Sequence, residues 1–419
     1  MSHRLTILLV ALACAAQTGE RQVNLDSFEK VWQTVRDKHW DPEINGLDWQ
    51  GIHDELRPKV EAAKSTGEAR AVMSGMLERL NQTHFGIIAG DVFSEMDSRG
   101  GIASPGLDVR ALDGRLFVTS VEPDSPGAKH GIHPGWEIVR IDGREMRPIL
   151  KRIQDQLAGS TLLDLRLTRA GLGRLRGSPG TSARLDLLDG NDKAVAIEVE
   201  RALPRGKPVS FGNLPPQHLW VESQKPRPDV GYVAFNIFLD AELIAKTMQG
   251  AVAACRDCRG FVLDMRGNPG GIGGIATGVA GWFTDHAGLQ LGKMHTRNAT
   301  INFAVFPRPE PFRGPLAVLV DGCSGSTAEI LAGGLKDIHR ARIFGSRTAG
   351  AALPSIIEKL PNGDGFQYAV ANYISQGGKP LEGVGVIPDE PVRLTRRGLL
   401  DGHDAVLDAA LQWIAGQTK

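Results

Sequence analysis

The stretch "PLAVLVDGCSGSTAEILAGG", residues 315–334, joins an apolar run of strand-forming residues to a turn of small and hydroxyl residues. The residues after the turn have the pattern of a helix. A strand, a turn and a helix in this order form the repeating unit of α/β folds. The turn carries two serines, Ser324 and Ser326, where the strand ends. The stretch therefore predicts an α/β layer with hydroxyl groups at the carboxyl end of one strand.

The same alternation continues on both sides of this stretch. Upstream, "VGYVAFNIF" (residues 230–238) and "GFVLDMRG" (residues 260–267) have the composition of buried strands, and a helical pattern separates them. Downstream, "ARIFG" (residues 341–345) predicts another strand, and "DAVLDAALQWIAG" (residues 404–416) predicts a closing amphipathic helix. We therefore expect an α/β core over residues 215–419.

Different patterns precede this core. Residues 24–98 are helical in pattern, whereas residues 100–205 consist of short alternating β runs between Gly, Pro and Asp turns. The segment "LPRGKPVSFGNLPPQ" (residues 203–217) is rich in Pro and Gly and is typical of a linker. Since 419 residues exceed one ordinary domain, the sequence predicts a multidomain α/β protein.

The N-terminus has the pattern of a secretory signal. Arg4 supplies a positive charge, an apolar run follows, and small residues end it, which predicts a signal peptide over residues 1–16. The segment "ALAC" also resembles a lipoprotein box that would leave Cys14 as a lipidated N-terminus, although Ala11 stands where such boxes usually carry Leu. We expect an extracytoplasmic mature protein, periplasmic or secreted, with a lipid anchor as the minority alternative.

Charge and cysteine content narrow the classes of partner. Lys plus Arg and Asp plus Glu each number 48, and nucleic-acid-binding or polybasic membrane proteins usually carry a basic excess. Cys255 and Cys258 form a C-x-x-C motif, but no second such motif or nearby histidine pair completes a metal site. The motif predicts a local disulfide or two ordinary thiols, and we expect no nucleic acid, metal or cofactor.

A glycine-rich turn follows the strand of residues 260–267. Gly271, Gly273 and Ala276 match a loose dinucleotide-binding fingerprint, but Pro269 interrupts the turn and no phosphate-binding loop is present. Glycine allows close approach and unusual dihedral angles, so a turn of this kind can point a backbone N–H at a developing oxyanion. We favour the oxyanion role.

The segment "VTSVEPDSPGAKHGIHPGWEIVRIDGREM", residues 118–146, resembles the core of a PDZ domain. Its order is a strand, a Ser-Pro-Gly-Ala turn, a short helix, Pro-Gly, and a strand that ends in Asp-Gly. PDZ domains bind the C-termini of other chains by adding them as a strand to a sheet edge. The resemblance implies a PDZ-like domain over residues 100–205 that selects or gates peptide tails.

Together with this segment and the signal peptide, "DMRGNPGG" (residues 264–271) and "DGCSGSTAEILAGGLKD" (residues 321–337) resemble the tail-specific, or C-terminal processing, serine peptidase family. The resemblance covers nearly the whole mature chain. It implies a ClpP/crotonase-like α/β peptidase core and polypeptide substrates. Aligning Glu329 with the glutamate of the family's "S-A-S-A-S-E" segment makes Ser326, and not Ser324, the nucleophile.

The resemblance also suggests the groups around this serine. Ser326 precedes Thr327, whose amide is free at the start of a helix and could join the glycine turn in an oxyanion hole. The candidate donors are the backbone amides of Gly270, Gly271 and Thr327. Glu329 either lines the site or only interacts favourably with the positive end of the helix dipole.

The proton acceptor departs from the best-known branch of the family. In that branch a "G-x-x-T-x-G-K" segment supplies a lysine base, whereas "GSRTAGA" here keeps Gly345, Thr348 and Gly350 but ends in Ala351. Alanine cannot accept a proton. Either the chain is an inactive peptidase or another residue is the base.

A second branch of the family suggests that residue. "MLERLNQTHFGI" resembles the "S-H" segment of the tricorn core peptidases, which use a Ser–His–Ser–Glu tetrad. The resemblance makes His84 the base, Thr83 the counterpart of the helper serine, and Glu382, in "GGKPLEGVGVIPD", the glutamate. The serine requires such partners, because its hydroxyl is a weak nucleophile until a neighbouring imidazole takes its proton.

The sequence thus predicts an extracytoplasmic serine endopeptidase that cleaves polypeptides with Ser326 and His84. The first alternative is a catalytically inactive, peptide-binding scaffold of the same fold. The second is an esterase or amidase for small substrates, although the G-x-S-x-G motif of ordinary esterases is absent around Ser326. The sequence is compatible with a monomer and with an oligomer.

Overall fold

Helices make up most of the N-terminal region. The computed structural model describes residues 2–90, 101–211 and 216–417, with side chains from residue 19 onward, so the side chains of the predicted signal segment, Cys14 included, lie outside the described part. No helix in the described part is long and apolar enough to cross a membrane. The elements are α1 (Ser2–Lys38), α2 (Trp49–Glu61), α3 (Thr66–Glu78) and the strand β1 (Gly86–Ile88).

An antiparallel sheet of six strands follows: five have the order β2-β3-β4-β6-β7, and the short β5 pairs with β4. Its inward residues, such as Ala183, Leu185 and Leu187 on β6, alternate with outward ones and form a separate apolar core with two helices. The elements are β2 (Leu107–Leu112), β3 (Arg115–Val121), α4 (Pro126–Lys129), β4 (Glu137–Ile141), β5 (Arg144–Glu145), α5 (Met146–Gln156), α6 (Leu163–Leu175), β6 (Ser182–Leu188) and β7 (Ala194–Glu200).

In the rest of the chain, helices separate β11, β12, β15 and β16, as predicted for the α/β core, and further strands follow one another without a helix between them. The strands are β8 (Lys207–Val209), β9 (Gln217–Leu219), β10 (Val221–Arg227), β11 (Val230–Phe235), β12 (Gly260–Asp264), β13 (Gln290–Thr296), β14 (Thr300–Ala304), β15 (Leu316–Val320), β16 (Arg342–Gly345), β17 (Ser355–Lys359), β18 (Gly365–Ala369), β19 (Ala371–Ser375) and β20 (Glu390–Pro391). The helices are α7 (Ala241–Ala253), α8 (Gly273–Ala280), α9 (Thr327–Asp337), α10 (Arg396–Leu400) and α11 (Ala405–Ala415).

A six-stranded sheet, β10-β11-β12-β15-β16-β20, organises this part of the chain. All neighbouring strands from β11 onward are parallel, and β10 is antiparallel to β11. Side chains alternate between the two faces, so Val233 and Phe235 pack towards α7, α8 and α9, whereas Val230 and Tyr232 pack towards α11. Because both faces are covered, the strands are apolar throughout, as parallel strands require.

The turns after β12 and β15 lie side by side at the carboxyl edge of this sheet, because the two strands are parallel neighbours. Ligands and catalytic groups of open α/β sheets usually lie at this edge. The turn after β12 carries the glycines, and the turn after β15 carries the two serines.

The N-terminal helices pack against the end of the chain. Their apolar residues share one buried cluster with Leu360, Phe366 and Tyr368. The strand β1 pairs antiparallel with β18, with Gly86 opposite Gln367. This pairing fixes the residues just before β1 beside the core, although Gly86 and its partner Gln367 lie 281 positions apart in sequence (367 − 86).

The fold is therefore a multidomain arrangement of helices and sheets. The helical pattern of residues 24–98 is interrupted by β1, and residues 91–98 lie outside the described part. The domain boundaries, the PDZ-like assignment and the ClpP/crotonase-like assignment stay predictions. Cys255 and Cys258 form a disulfide, the first of the two alternatives for the C-x-x-C motif.

Candidate active site

The two serines of the turn after β15 have different surroundings. Ser324 is fully buried; its hydroxyl donates to the carbonyl of Met265 (2.8 Å) and accepts from the amide of Asp321 (3.0 Å). Ser326 is the N-cap of α9 and has φ 51° and ψ −116°. A positive φ is costly for a residue other than glycine and is often found at functional sites. Ser324 therefore holds the turn, and the hydroxyl of Ser326 is free to react.

Glu329 lies inside the protein beneath this turn, with no exposed surface. Its Oε2 accepts from the amides of Ser326 (2.9 Å) and Ala351 (3.0 Å). Its Oε1 accepts from the Thr348 hydroxyl (2.6 Å) and the Gly350 amide (2.8 Å). Burial raises the pKa of this carboxyl to about 7, against the four hydrogen bonds, which favour the ionised form. Glu329 thus contacts the backbone of the serine turn rather than only the helix dipole.

The glycine turn after β12 packs directly on Ser326. A Cβ on Gly270 would lie 2.7 Å from the Ser326 Cβ and 2.8 Å from the Thr327 nitrogen. At Gly271, where φ is 136°, a Cβ would lie 2.4 Å from the carbonyl oxygen of Phe238. The Thr327 hydroxyl also donates to the carbonyl of Gly271 (2.8 Å). These contacts require glycine at both positions.

The amides of this turn have different roles, which corrects one part of the sequence prediction. The amide of Gly270 donates to Oδ1 of Asn268 (2.9 Å), so it is not free to contact an oxyanion. The amides of Gly271 and Thr327 have no acceptor among the described residues. Asn268 is fully buried and also donates to the carbonyl of Phe235 (2.7 Å), which fixes the turn. Gly271 and Thr327 therefore remain the candidate oxyanion donors.

His84, Thr83 and Glu382 form one hydrogen-bonded chain. The Thr83 hydroxyl lies 2.8 Å from Nδ1 of His84 and donates to Oε2 of Glu382 (2.8 Å). The Thr83 amide donates to the other carboxylate oxygen of Glu382 (2.7 Å). Since the hydroxyl has one hydrogen and gives it to the carboxylate, it must accept from Nδ1–H of His84. The neutral ring then carries its lone pair on Nε2, as a general base requires.

Burial and charge keep this imidazole neutral. Desolvation and, to a lesser extent, the positive charge of Arg169 on α6 lower the pKa of His84 to about 4. The ring therefore carries no proton on Nε2 at neutral pH. Burial raises the pKa of Glu382, opposed by hydrogen bonds from Thr83 and from the amide of Ala352.

A single peptide group connects the serine turn to the histidine chain. The carbonyl of Ala351 accepts from the amide of Ser326 (2.9 Å), and the next amide, that of Ala352, donates to Glu382 (3.1 Å). The described contacts include no direct hydrogen bond between the Ser326 hydroxyl and His84. Catalytic hydrogen bonds in ligand-free enzymes are often long and tighten when substrate binds.

The position that a lysine would occupy in the other branch is apolar here. Ala351 and Ala349 pack with Cys323 and with Leu165 of α6 in a small buried cluster. Burial raises the pKa of the Cys323 thiol to about 12, so the thiol is inert at neutral pH. No group of three or more His, Cys, Asp or Glu side chains in the described part is arranged to hold a metal.

Asp321 joins both turns to the neighbouring antiparallel sheet that contains β2. Its Oδ1 accepts from the amides of Gly267 (2.9 Å) and Cys323 (3.0 Å), and its Oδ2 accepts from Nε of Arg110 on β2 (2.9 Å). The sequence prediction missed Asp321, Arg110, Asn268 and Arg169. Asn268 could have been found from its place in the Asn-Pro-Gly-Gly turn. No local signal identifies Arg110 or Arg169 as part of the site, because Asp321 and His84, the site residues that they affect, lie far away in sequence.

Replacing Arg110 by methionine is expected to lower the free energy of unfolding by about 3 kcal/mol, because the Asp321 carboxylate, which is only 16% exposed, loses its cation. Urea unfolding of wild type and variant measures the difference. Arg140→Met, on β4 of the same sheet, is the control, since Arg140 and its partner Glu145 are exposed and little change is expected. Equal stability of Arg110→Met and wild type would contradict a structural role for this ion pair.

Known proteins are similar to this chain in sequence and in architecture. Residues 229–392 match the sequence model of Peptidase family S41, and residues 22–78 match the Tricorn protease C1 domain. The chain is 27% identical to "Carboxyl-terminal-processing peptidase 3, chloroplastic" of Arabidopsis thaliana, covering 86% of this chain and 67% of that protein. It is 26% identical to the "Carboxy-terminal-processing protease" of Bartonella bacilliformis, covering 74% and 66%, respectively. The chain thus spans about two thirds of the length of these relatives.

A solved structure has the same fold. The photosystem II D1 C-terminal processing protease superposes with a TM-score of 0.59, covering 91% of this chain and 98% of that one at 22% sequence identity. The peptidase match spans the sheet from β11 to β20, and with it both turns described above. These matches confirm the resemblance that the serine and glycine motifs predicted: residues 229–392, which contain both turns, match peptidase family S41, and the two relatives are carboxyl-terminal-processing enzymes.

Proposed function

We propose that this protein is an extracytoplasmic serine endopeptidase that cleaves polypeptides through an acyl-enzyme. Ser326 is the nucleophile, His84 is its general base, and Thr83 with Glu382 orients the ring. The hydrogen-bonded chain from Glu382 through Thr83 to Nδ1 of His84 carries the proposal, because it leaves Nε2 as a base where a lysine is absent. The match to the Tricorn protease C1 domain supports a histidine-using branch.

The reaction follows from these groups. Nε2 of His84 takes the proton of the Ser326 hydroxyl as its oxygen attacks the scissile carbonyl carbon, and the amides of Gly271 and Thr327 donate to the oxyanion. The imidazolium then gives the proton to the leaving amine. A water molecule, deprotonated by His84, next attacks the acyl-enzyme, and the acid and the free Ser326 hydroxyl are released. No cofactor is required.

We propose that residues 100–205, which contain the sheet formed by β2 to β7, are the PDZ-like domain that holds substrate tails. Its helix α6 places Leu165 against the segment that holds Ser326, and Arg169 near enough to affect His84. The names of the two relatives, which are carboxyl-terminal-processing enzymes, support substrates that are recognised by their C-termini. The signal-like N-terminus and the Cys255–Cys258 disulfide support an oxidising, extracytoplasmic compartment, with lipidation at Cys14 as the alternative anchor.

The test uses a reduced, carboxymethylated polypeptide beside its folded parent, and a peptide with a free or an amidated C-terminus. We expect cleavage of the unfolded chain only. Amidation is expected to lower kcat/KM at least about tenfold, since a hydrogen bond to a charged carboxylate is lost.

The alternatives give different results in the same assays. Binding of the free-tail peptide without turnover would indicate the inactive scaffold. Hydrolysis of small esters without cleavage of any polypeptide would indicate an esterase or amidase. Equal cleavage of free and amidated peptides would remove C-terminal recognition from the proposal.

A further inference from the structure

The nucleophile turn is held by one buried carboxylate rather than by packing alone. Four donors converge on Glu329: the amides of Ser326, Gly350 and Ala351 and the hydroxyl of Thr348. The Thr348 oxygen is itself fixed, because it accepts from the amide of Val386 (2.6 Å). The Glu329 side chain has no contact with solvent, since its exposed fraction is 0%.

The two residues that Glu329 Oε2 joins are the ones on which the site depends. Ser326 has a strained backbone, with φ 51° and ψ −116°, which persists only if its surroundings fix it. Ala351 carries the carbonyl that accepts from Ser326, and the following amide donates to Glu382. One oxygen atom therefore sets the distance between the nucleophile and the chain that orients the base.

We propose that Glu329 is a positioning residue that acts in its ionised form, holding Ser326 and the Ala351–Ala352 peptide group in the reactive arrangement. This inference rests on the proposed function. A carboxylate only accepts, so its two oxygens take all four donors. A protonated carboxyl carries a hydrogen on one oxygen, so at least one donor loses its acceptor and the turn is released from it.

The surroundings of Glu329 place the protonation of its carboxylate in the neutral pH range. Burial raises the pKa of Glu329 to about 7, and the groups that oppose the rise are uncharged hydrogen-bond donors. The other ionisable groups near it are Glu382, beyond the Ala351–Ala352 peptide group, His84 beyond Thr83, and Cys323 and Arg169 on the α6 side. The pKa of His84 is about 4, so its titration is well separated from that of Glu329.

Activity and stability respond in opposite directions to this protonation. The carboxyl is protonated more readily in the folded chain than in the unfolded one, where its pKa is 4.5. Its contribution to stability therefore increases as pH falls from about 7 towards 4.5, whereas activity falls over the same interval. A residue that only supported the fold would lower both together.

The experiment measures kcat and KM on an unfolded polypeptide between about pH 5 and pH 9 for wild type, Glu329→Gln and Glu242→Gln. Glu242 is the matched control, since it lies in the first turn of α7, as Glu329 does in α9, but is exposed. For wild type we expect kcat to fall as pH drops through about 7, with KM unchanged. Glu329→Gln is expected to have a kcat about 100-fold lower at alkaline pH and no ionisation near 7. Glu242→Gln is expected to match wild type.

Wild-type kcat in Glu329→Gln, or the same fall near pH 7 in that variant, would overturn the inference. If Glu329→Gln does not fold, Thr348→Val keeps the carboxylate and removes one donor, so the fall in kcat is expected to move to higher pH; an unmoved profile refutes the inference. Protection of the Ser326 and Ala351 amides from hydrogen exchange, corrected for intrinsic rates, is a readout without activity. It is expected to decrease below about pH 7, and constant protection counts against the inference.

Failure of the proposed function is recognised separately. Wild type that neither cleaves a polypeptide nor reacts with a fluorophosphonate at Ser326 would refute the peptidase assignment, and amide protection would still test the role of Glu329. An active wild type beside an unimpaired Glu329→Gln variant refutes this inference alone.

Discussion

Ser326→Ala is expected to lower kcat by about 10⁴-fold or more and to abolish labelling by a fluorophosphonate, because the acyl-enzyme can no longer form. The fold should be kept, since the hydrogen bonds of Ser326 to Glu329 and Ala351 use the backbone amide, which alanine retains. Cleavage of an unfolded polypeptide, with the thermal unfolding midpoint measured beside it, checks both parts.

Ser324→Ala is the matched control two residues away. Its hydroxyl makes two buried hydrogen bonds, so the variant is expected to lose about 1 kcal/mol of unfolding free energy for each. It should still be labelled at Ser326. Labelling that disappears in Ser324→Ala but persists in Ser326→Ala would identify Ser324 as the nucleophile and refute the site described above.

His84→Ala is expected to lower kcat by about 10⁴-fold, comparable to the loss of the serine, because the two residues act as a unit. His403→Ala, at an exposed position, is the control and should keep activity. A polypeptide cleavage assay at alkaline pH is the measurement. Normal cleavage by His84→Ala would leave Ser326 as a nucleophile with a different base.

The state of the His84 ring can be tested by NMR titration. In wild type the ring is expected to bind a proton only near pH 4, so the base is available throughout the neutral range. Arg169→Gln removes a positive charge and should move the pKa of His84 upwards, towards its ordinary value of 6.5. An unchanged pKa in Arg169→Gln would mean that burial alone lowers it.

Much of the architecture follows from local pattern. Runs such as "GFVLDMRG" and "PLAVLV" alternate with helical segments, and apolar strands covered on both faces need no distant information to be recognised. The glycine turn and the Ser-Gly-Ser-Thr turn follow such strands, so their place at the carboxyl edge of the sheet was also predictable. The strand β1 was not predicted, because three residues carry too little periodicity.

Local sequence does not carry the relative positions of groups that meet only after folding. The Gly270 amide was expected to be an oxyanion donor, but Oδ1 of Asn268 takes its hydrogen. Glu329 had two interpretations, and only its burial against Thr348, Gly350 and Ala351 distinguishes them.

The amino-acid sequence by itself determined the layers of this protein, the peptidase family that it resembles and the serine that stands at the start of a helix. Only the tertiary structure decided what surrounds that serine. The pairing of β1 with β18 carries His84 and Thr83 to Glu382, and Arg110 crosses from another sheet to Asp321. The physical reason is that strand and helix patterns depend on near neighbours in sequence, whereas hydrogen bonds and ion pairs depend on distance in space, which the whole chain sets when it folds.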